Sequence, residues 1–311
     1  MSSPLAIHGL TWAELNREAR ERLPKGFGRA REVYKQVTEE ARYAPEELNL
    51  ADRWAAAWRE EFVLDLPEVV RTISEEGETG TTAKAVLKLH DGWEVECVLI
   101  PMGRGRSTLC VSSQVGCKMG CTFCETAKMG IIRHLSAAEI VAQILVARHV
   151  LGWSVRNVVF MGMGEALDNA DSLFQAIRVL NDPAGMAMGQ ERMTICTVGR
   201  VDGIARLARL VHPIDQEQHT PLTHGLQHVT ALYLTPNRAL RSDNLLQDCA
   251  TGLTRILDQP NQINDSDEER HVIACNCERL QHKTSQQRRL ATRGRPQYER
   301  ARLATQIALV D

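Results

Sequence analysis

The chain has 311 residues, of which 43% are hydrophobic, with a net charge of −2 and nine cysteines. That length suits one large domain plus a small one around a filled core, and the near-neutral charge excludes a global pull toward nucleic acid, so any RNA contact must be a local patch. No apolar run reaches the roughly 18 residues of a membrane span, and the N-terminus lacks the charged start and apolar middle of a signal peptide; a soluble cytoplasmic protein with reduced thiols is expected.

Residues 1–78 read as a small helical domain. Thr11 and Glu14 form a capping box ahead of Leu15, Ala19 and Leu23 at helical spacing. Gly26-Phe27-Gly28 interrupts the pattern, a second helix follows through Val33, Tyr34 and Val37, and Pro45 and Pro67 mark further turns or helix starts. Scaffold, nucleic-acid contact and protein contact are all open readings of this segment. Residues 79–109 hold a β-hairpin and its connection: TAKAVLKLHDGWEVECVLIP alternates apolar and polar residues about Asp91-Gly92. Lys84, Lys88, Glu94 and Glu96 share its polar face, which cross-strand charge pairing explains.

From Cys110 the chain runs CVSSQVGCKMGCTFCETAKMG, with Cys117, Cys121 and Cys124 spaced CxxxCxxC. Three thiolates in a tight, Gly-bearing loop suit a [4Fe-4S] cubane better than a tetrahedral ion with four protein ligands. One iron is then left without a protein ligand. An open iron is what a cluster needs to bind the amino and carboxylate groups of S-adenosylmethionine and pass an electron to its sulfonium. A structural zinc site with Cys110 as a distant fourth ligand, or simply buried cysteines, are the alternatives.

Ser136 and Glu139 form a second capping box, opening a helix that carries Ile140, Ile144 and Val146 to about Val150. RNVVFM at 156–161 reads as a buried strand, a helix passes through Leu173, Ile177 and Leu180, a strand spans Arg192 to Val198, and a helix spans Ile204 to Leu210. This β-α-β-α repetition predicts a parallel sheet and a partial (β/α) barrel, with ligands at the carboxyl ends of its strands. Gly162, Gly164 and Glu165 fall at one such end. The glycines permit a close ligand approach, and Glu165 can accept a hydrogen bond from the amino group of S-adenosylmethionine; a Gly-rich turn with a helix-capping Glu is the alternative. Cys196 ends the next strand, facing the same pocket or serving as a small buried thiol. Beyond Val211 the pattern weakens. His224 and His228 stand four apart without a further ligand nearby, HVTALYL reads as a strand, Cys275 and Cys277 read as small hydrophobes, and the tail from Lys283 is basic.

TLCVSSQVGCKMGCTFCETAKMG, VVFMGMGEALDN and TICTVG, in this order, resemble the radical-SAM adenine-C2 RNA methyltransferases of the RlmN and Cfr group from about residue 82 to 210. The N-terminal region resembles that family's accessory domain. The resemblance implies an α/β fold: a partial (β/α) barrel of the radical-SAM type over 110–311, preceded by the helical accessory domain and the hairpin. It implies that Cys117, Cys121 and Cys124 bind a [4Fe-4S] cluster, that Gly164 and Glu165 bind S-adenosylmethionine, and that Asn276 contacts the same cofactor. Cys196 stands where the family usually has a Ser touching that ligand. Cys110 matches a cysteine that helps release methylated RNA from a covalent adduct, and Glu96 matches a proton-handling glutamate.

The implied reaction methylates C2 of adenine in 23S rRNA and, in some members, tRNA. The implied partners are RNA and an external one-electron donor such as flavodoxin; a monomer with no membrane association is expected. The family's Ser-Leu-His ligand stretch appears here as Leu232-Tyr233-Leu234, and its methyl-carrying Ala-Cys-Gly-Gln segment has no counterpart after Arg295. These departures predict cleavage of S-adenosylmethionine with little methyl transfer by the chain as written. A radical-SAM enzyme with another substrate, and an RNA-binding relative without turnover, stand as alternatives.

Overall fold

Local chemistry sets where the main helices begin. In the computed structural model, which describes residues 3–122, 124–211 and 229–231, the Thr11 hydroxyl accepts from the Glu14 N–H while the Glu14 carboxylate accepts from the Thr11 N–H at 2.8 Å. This capping box starts α1 (Trp12–Arg22). With α2 (Ala30–Glu40) and α3 (Asp52–Glu61) it encloses a small core of Leu15, Ala19, Val33, Tyr34, Val37 and Trp58. Strands β1 (Leu5–Ala6) and β2 (Phe62–Val63) pair in parallel and close the module.

The rest of the described chain forms the α/β part. Three strands, β3 (Glu68–Gly77), β4 (Gly80–Lys88) and β5 (Glu94–Pro101), run antiparallel into β6 (Ser107–Cys110). A separate antiparallel pair, β7 (Gln114–Cys117) and β8 (Gly130–His134), brackets the short helix α4 (Glu125–Lys128). Then follow α5 (Ala137–Leu145), β9 (Asn157–Phe160), α6 (Ala170–Asn181), β10 (Met193–Thr197), α7 (Val201–Val211) and β11 (Val229–Ala231). The main sheet has the order β11-β10-β9-β6-β5-β4-β3, and β6, β9, β10 and β11 are mutually parallel. This is the open, partial-barrel arrangement expected. One face, carrying Leu87, Val95, Leu109, Val158, Phe160 and Ile195, packs against Ile140, Ile144, Leu173 and Val179 of α5 and α6 in the largest core.

The second capping box is also formed, by Ser136 and Glu139, and the helix it opens runs to Val150 with its last turn, Val146–Val150, in π geometry. The helical domain expected over 1–78 ends its helices at Glu61, and β3 inside that range belongs to the main sheet. Its alternation is hidden because β3 is an edge strand, solvent-exposed at nearly every position, so charged residues fall on both faces. The hairpin expected over 79–109 forms in register, with Lys88 opposite Glu94, but it is continuous with the barrel sheet rather than separate from it.

The small module is tied to the sheet domain by specific polar contacts. Asp182, after α6, accepts from the Trp12 N–H at 2.6 Å and the Tyr34 hydroxyl at 3.1 Å, and Gln175 donates to the Gly9 carbonyl at 3.1 Å. His8 is buried at this junction; its Nδ1 has no partner among the described residues. Burial holds its pKa down to about 4, against a hydrogen bond to the Asp65 carbonyl and the charge of Glu139. The ring is therefore neutral in the folded state and readily protonated in the unfolded chain. Stability from this residue is fully present above pH 6.5 and is lost as the pH falls from 6.5 toward 4. The expected loss is about 3 kcal/mol; urea unfolding across that range should show it, and His8→Gln should flatten the slope.

Candidate active site

Sheet register brings scattered residues onto one face. Lys84 on β4 lies opposite Val98 on β5, Val98 lies opposite Cys110 on β6, and Cys110 lies beside Val159 on β9. Side chains directly paired across strands share a face, and those two apart along a strand share it too. Glu96 therefore joins this row through Val98, and Cys196 joins it through Thr194, the partner of Val159. Val98, Cys110, Val159 and Cys196 pack as one buried cluster, with Ile100 and Met161 beside them. This is the sheet face turned away from α5 and α6.

The carboxyl ends of β6 and β9 are laced together. After β6 the segment Val111 to Gln114 meets the turn after β9: the Gly162 N–H donates to the Val111 carbonyl at 3.0 Å, and the Ser113 and Gln114 N–H groups donate to the Met163 carbonyl at 2.9 and 3.1 Å. The Met163 N–H donates to the Ser112 hydroxyl at 2.9 Å. Contact is so close that a Cβ on Gly162 would sit 2.7 Å from the Ser112 nitrogen. Gly164 has a φ of +104°, and a Cβ there would lie 2.6 Å from the Gln114 side chain. Both positions require glycine.

Glu165 follows, 3% exposed. One carboxylate oxygen caps the next helical turn by accepting from the Leu167 N–H at 3.0 Å, while the other accepts from the Val198 N–H at 2.9 Å, just beyond β10. The capping reading and the strand-end position thus hold together. Burial raises the Glu165 pKa, opposed by the Thr197 hydroxyl and these two N–H groups. Below it, burial would raise Asp168, but Lys118 at 3.0 Å and the Gln114 amide hold its carboxyl below the usual range.

Cys117 is buried at the end of β7, and Cys121 and Cys124 sit half-exposed in the loop that follows, where the Cys124 N–H donates to the Cys121 carbonyl at 3.1 Å. Burial raises the Cys117 and Cys121 pKa values; the other cluster-loop thiols and Glu165 add to the effect at Cys117, and Cys124 and Glu165 at Cys121. The three thiols and the Glu165 turn therefore share one neighbourhood. Among the described residues, no three His, Cys, Asp or Glu side chains gather around a single point. A cubane takes each thiolate on a separate iron, and such coordination would hold the thiols deprotonated. Cys110 stands apart in the sheet-face cluster, its pKa pushed up to about 12 by burial, rather than serving as a fourth ligand beside them. Asn276, Leu232 to Leu234, His224, His228, Cys275, Cys277 and the basic tail lie outside the described residues.

Sequence reasoning missed the polar residues that hold this site. Ser112 and Gln114 are fully buried, and Gln114 contacts the Glu165 N–H, Asp168 and His134. Their signal was available: Ser112-Ser113-Gln114 is a polar run between apolar Val111 and Val115, straight after a buried strand.

The Radical SAM superfamily model matches residues 111–247. The chain is 39% identical over 211 residues to a probable dual-specificity RNA methyltransferase RlmN 1 of Protochlamydia amoebophila, covering 68% of this chain and 58% of that protein. It is 38% identical over 224 residues to a probable dual-specificity RNA methyltransferase RlmN of Moorella thermoacetica, covering 69% of this chain and 62% of that protein. A solved radical SAM methyltransferase from Sphaerobacter thermophilus superposes with a TM-score of 0.58 at 35% identity, covering 66% of this chain and 60% of the other. The chain thus spans about three fifths of the length of these relatives.

Because two backbone N–H groups converge on its carboxylate, Glu165→Gln should lower stability even without any ligand. The amide would turn one donor toward another donor, at a cost of about 1 to 3 kcal/mol. Denaturant unfolding of the ligand-free protein checks this; an unchanged midpoint would show that those contacts do not hold the turn.

Proposed function

Taking as premise a radical SAM domain over residues 111–247 and kinship with RlmN-named RNA methyltransferases over 68% of the chain, we propose that this protein is a radical-SAM methyltransferase acting on C2 of adenine in 23S rRNA or tRNA. The observation that carries this reading is the shared sheet face. Glu96, Cys110 and Cys196 lie on it together, at the edge where the cysteine loop and the Gly162 to Glu165 turn also stand.

In this reading Cys117, Cys121 and Cys124 hold a [4Fe-4S] cluster. When bound, the cluster supplies one electron to the sulfonium of S-adenosylmethionine. Gly162 and Gly164 let the backbone approach the methionine portion, and Glu165 accepts from its amino group with the acceptor capacity that the Thr197 hydroxyl and the two N–H groups leave free. Cys196 borders the same ligand. C2 of adenine offers no nucleophilic lone pair, so polar methyl transfer fails there and one-electron chemistry is required. Cys110, kept neutral by burial, provides a thiol on the substrate face, and Glu96 takes up the substrate proton. We place the protein in the cytoplasm, as a monomer drawing electrons from a donor such as flavodoxin, with the N-terminal helices as an accessory contact module; among the described residues, no helix is long and apolar enough to cross a membrane.

Anaerobically purified protein should carry iron and sulfide at about four each per chain. Replacing Cys117, Cys121 or Cys124 with Ala should abolish them, while Cys97→Ala, on the helix-packed face, should not. The substrate is tested by mass spectrometry of rRNA and tRNA from cells with and without the gene. Loss of 2-methyladenine on deletion would support this substrate; identical RNA would fit either another substrate or the S-adenosylmethionine cleavage with little methyl transfer that the sequence departures predict.

A further inference from the structure

Lys84 is a nearly buried lysine, 8% exposed, on the sheet face that carries Cys110. A buried ammonium is costly unless paired. Its partner is Glu96, with Nζ 2.9 Å from Oε1. The second carboxylate oxygen of Glu96 has no partner among the described residues. Lys88 and Glu94, which look equivalent in the sequence, face each other at the exposed end of the same hairpin.

The main chain of Glu96 is held just as specifically. Its carbonyl accepts from the Ser112 hydroxyl at 2.7 Å, and the same hydroxyl accepts from the Met163 N–H in the glycine turn. Ser112 itself is clamped by the buried Gln143 side chain, which accepts from its N–H and donates to its carbonyl, both at 2.8 Å. Glu96 is thus fixed by its backbone to the cofactor-side turn and by one oxygen to Lys84.

We propose that Lys84 is a positioning residue for Glu96. It pins Oε1 so that Oε2 alone faces the substrate from the same side as Cys110. The inference rests on the reading of Glu96 as the group that takes up the substrate proton. An Arg at position 84 can still engage the carboxylate, whereas a Met of similar length cannot.

The test uses the full chain, reconstituted anaerobically, in unaltered form and as Lys84→Met, Lys84→Arg and Lys88→Met. Carboxylates are amidated with a water-soluble carbodiimide and glycine ethyl ester, and peptide mass spectrometry follows Glu96 against exposed Glu94. In the unaltered and Lys88→Met proteins activated Glu96 should lose its urea to the adjacent Lys84 amine and form an isopeptide bond, seen as a crosslinked peptide. In Lys84→Arg the paired guanidinium should slow its labelling, and in Lys84→Met it should take glycine ethyl ester readily. In RNA methylation, Lys84→Met should lower kcat by about tenfold or more while leaving KM for RNA unchanged, as expected when a reacting group is misplaced but binding is not. Lys84→Arg should restore kcat. Glu96 labelling as fast as Glu94 in the unaltered protein would overturn the proposal, as would an Arg variant that fails to rescue a folded Met variant. The Lys84–Glu96 crosslink in a protein that forms no 2-methyladenine would sink the methyltransferase reading and leave the positioning role supported.

Discussion

The site depends on the contact between two short stretches of backbone, Val111 to Gln114 and Gly162 to Gly164. Each follows a different parallel strand, and a Cβ on Gly162 or Gly164 would collide with Ser112 or with the Gln114 side chain. Ser112 and Gln114 turn this closeness into a framework. Ser112 joins Met163 to Glu96 and is gripped by Gln143, while Gln114 accepts from the Glu165 N–H and donates to Asp168. Buried polar groups left unsatisfied are costly, so this network must form as a unit or fail as one. The cysteine loop leaves from one end of it, and the Glu165 turn from the other.

Chemistry on the inner sheet face follows from register. A one-residue slip between β5 and β6 would send Glu96 or Cys110 to the helix-packed side, where Cys97 and Leu109 now lie. The antiparallel strands are therefore part of the proposed site and not an appendage to the barrel. They carry Lys84 and Glu96 to the edge at which β6, β9 and β10 present Cys110, the glycine turn and Cys196. Burial at this edge keeps the Cys110 thiol neutral and raises Glu165, while the Lys118 contact keeps Asp168 low. Closely spaced groups thus differ in charge because their partners differ.

What could be read from the sequence was mostly local. Both capping boxes, the hairpin about Asp91-Gly92 and the β-α alternation from 156 to 211 depend on residues a few positions apart, and each is present. The CxxxCxxC loop was legible for the same reason. Strand β3 was not, because an exposed edge leaves no alternating pattern. Burial of Lys84 was hidden too: alternation separates two faces of a hairpin without telling which one a larger sheet encloses. Ser112 and Gln114 owe their roles to partners about fifty positions away, which only the fold brings near. Glu165 was legible as either a cap or a ligand, and the geometry shows why both readings arose.

The central claim is that the three loop cysteines leave one iron open beside the Glu165 turn. The most direct measurement is electron–nuclear double resonance on the reduced, anaerobic protein, using S-adenosylmethionine with an isotopically labelled amino nitrogen. A hyperfine coupling from that nitrogen is expected, since the amino group should bind the open iron next to Glu165. A reduced cluster with no coupling on addition of the labelled compound would contradict the assignment of this edge of the sheet as the cofactor site.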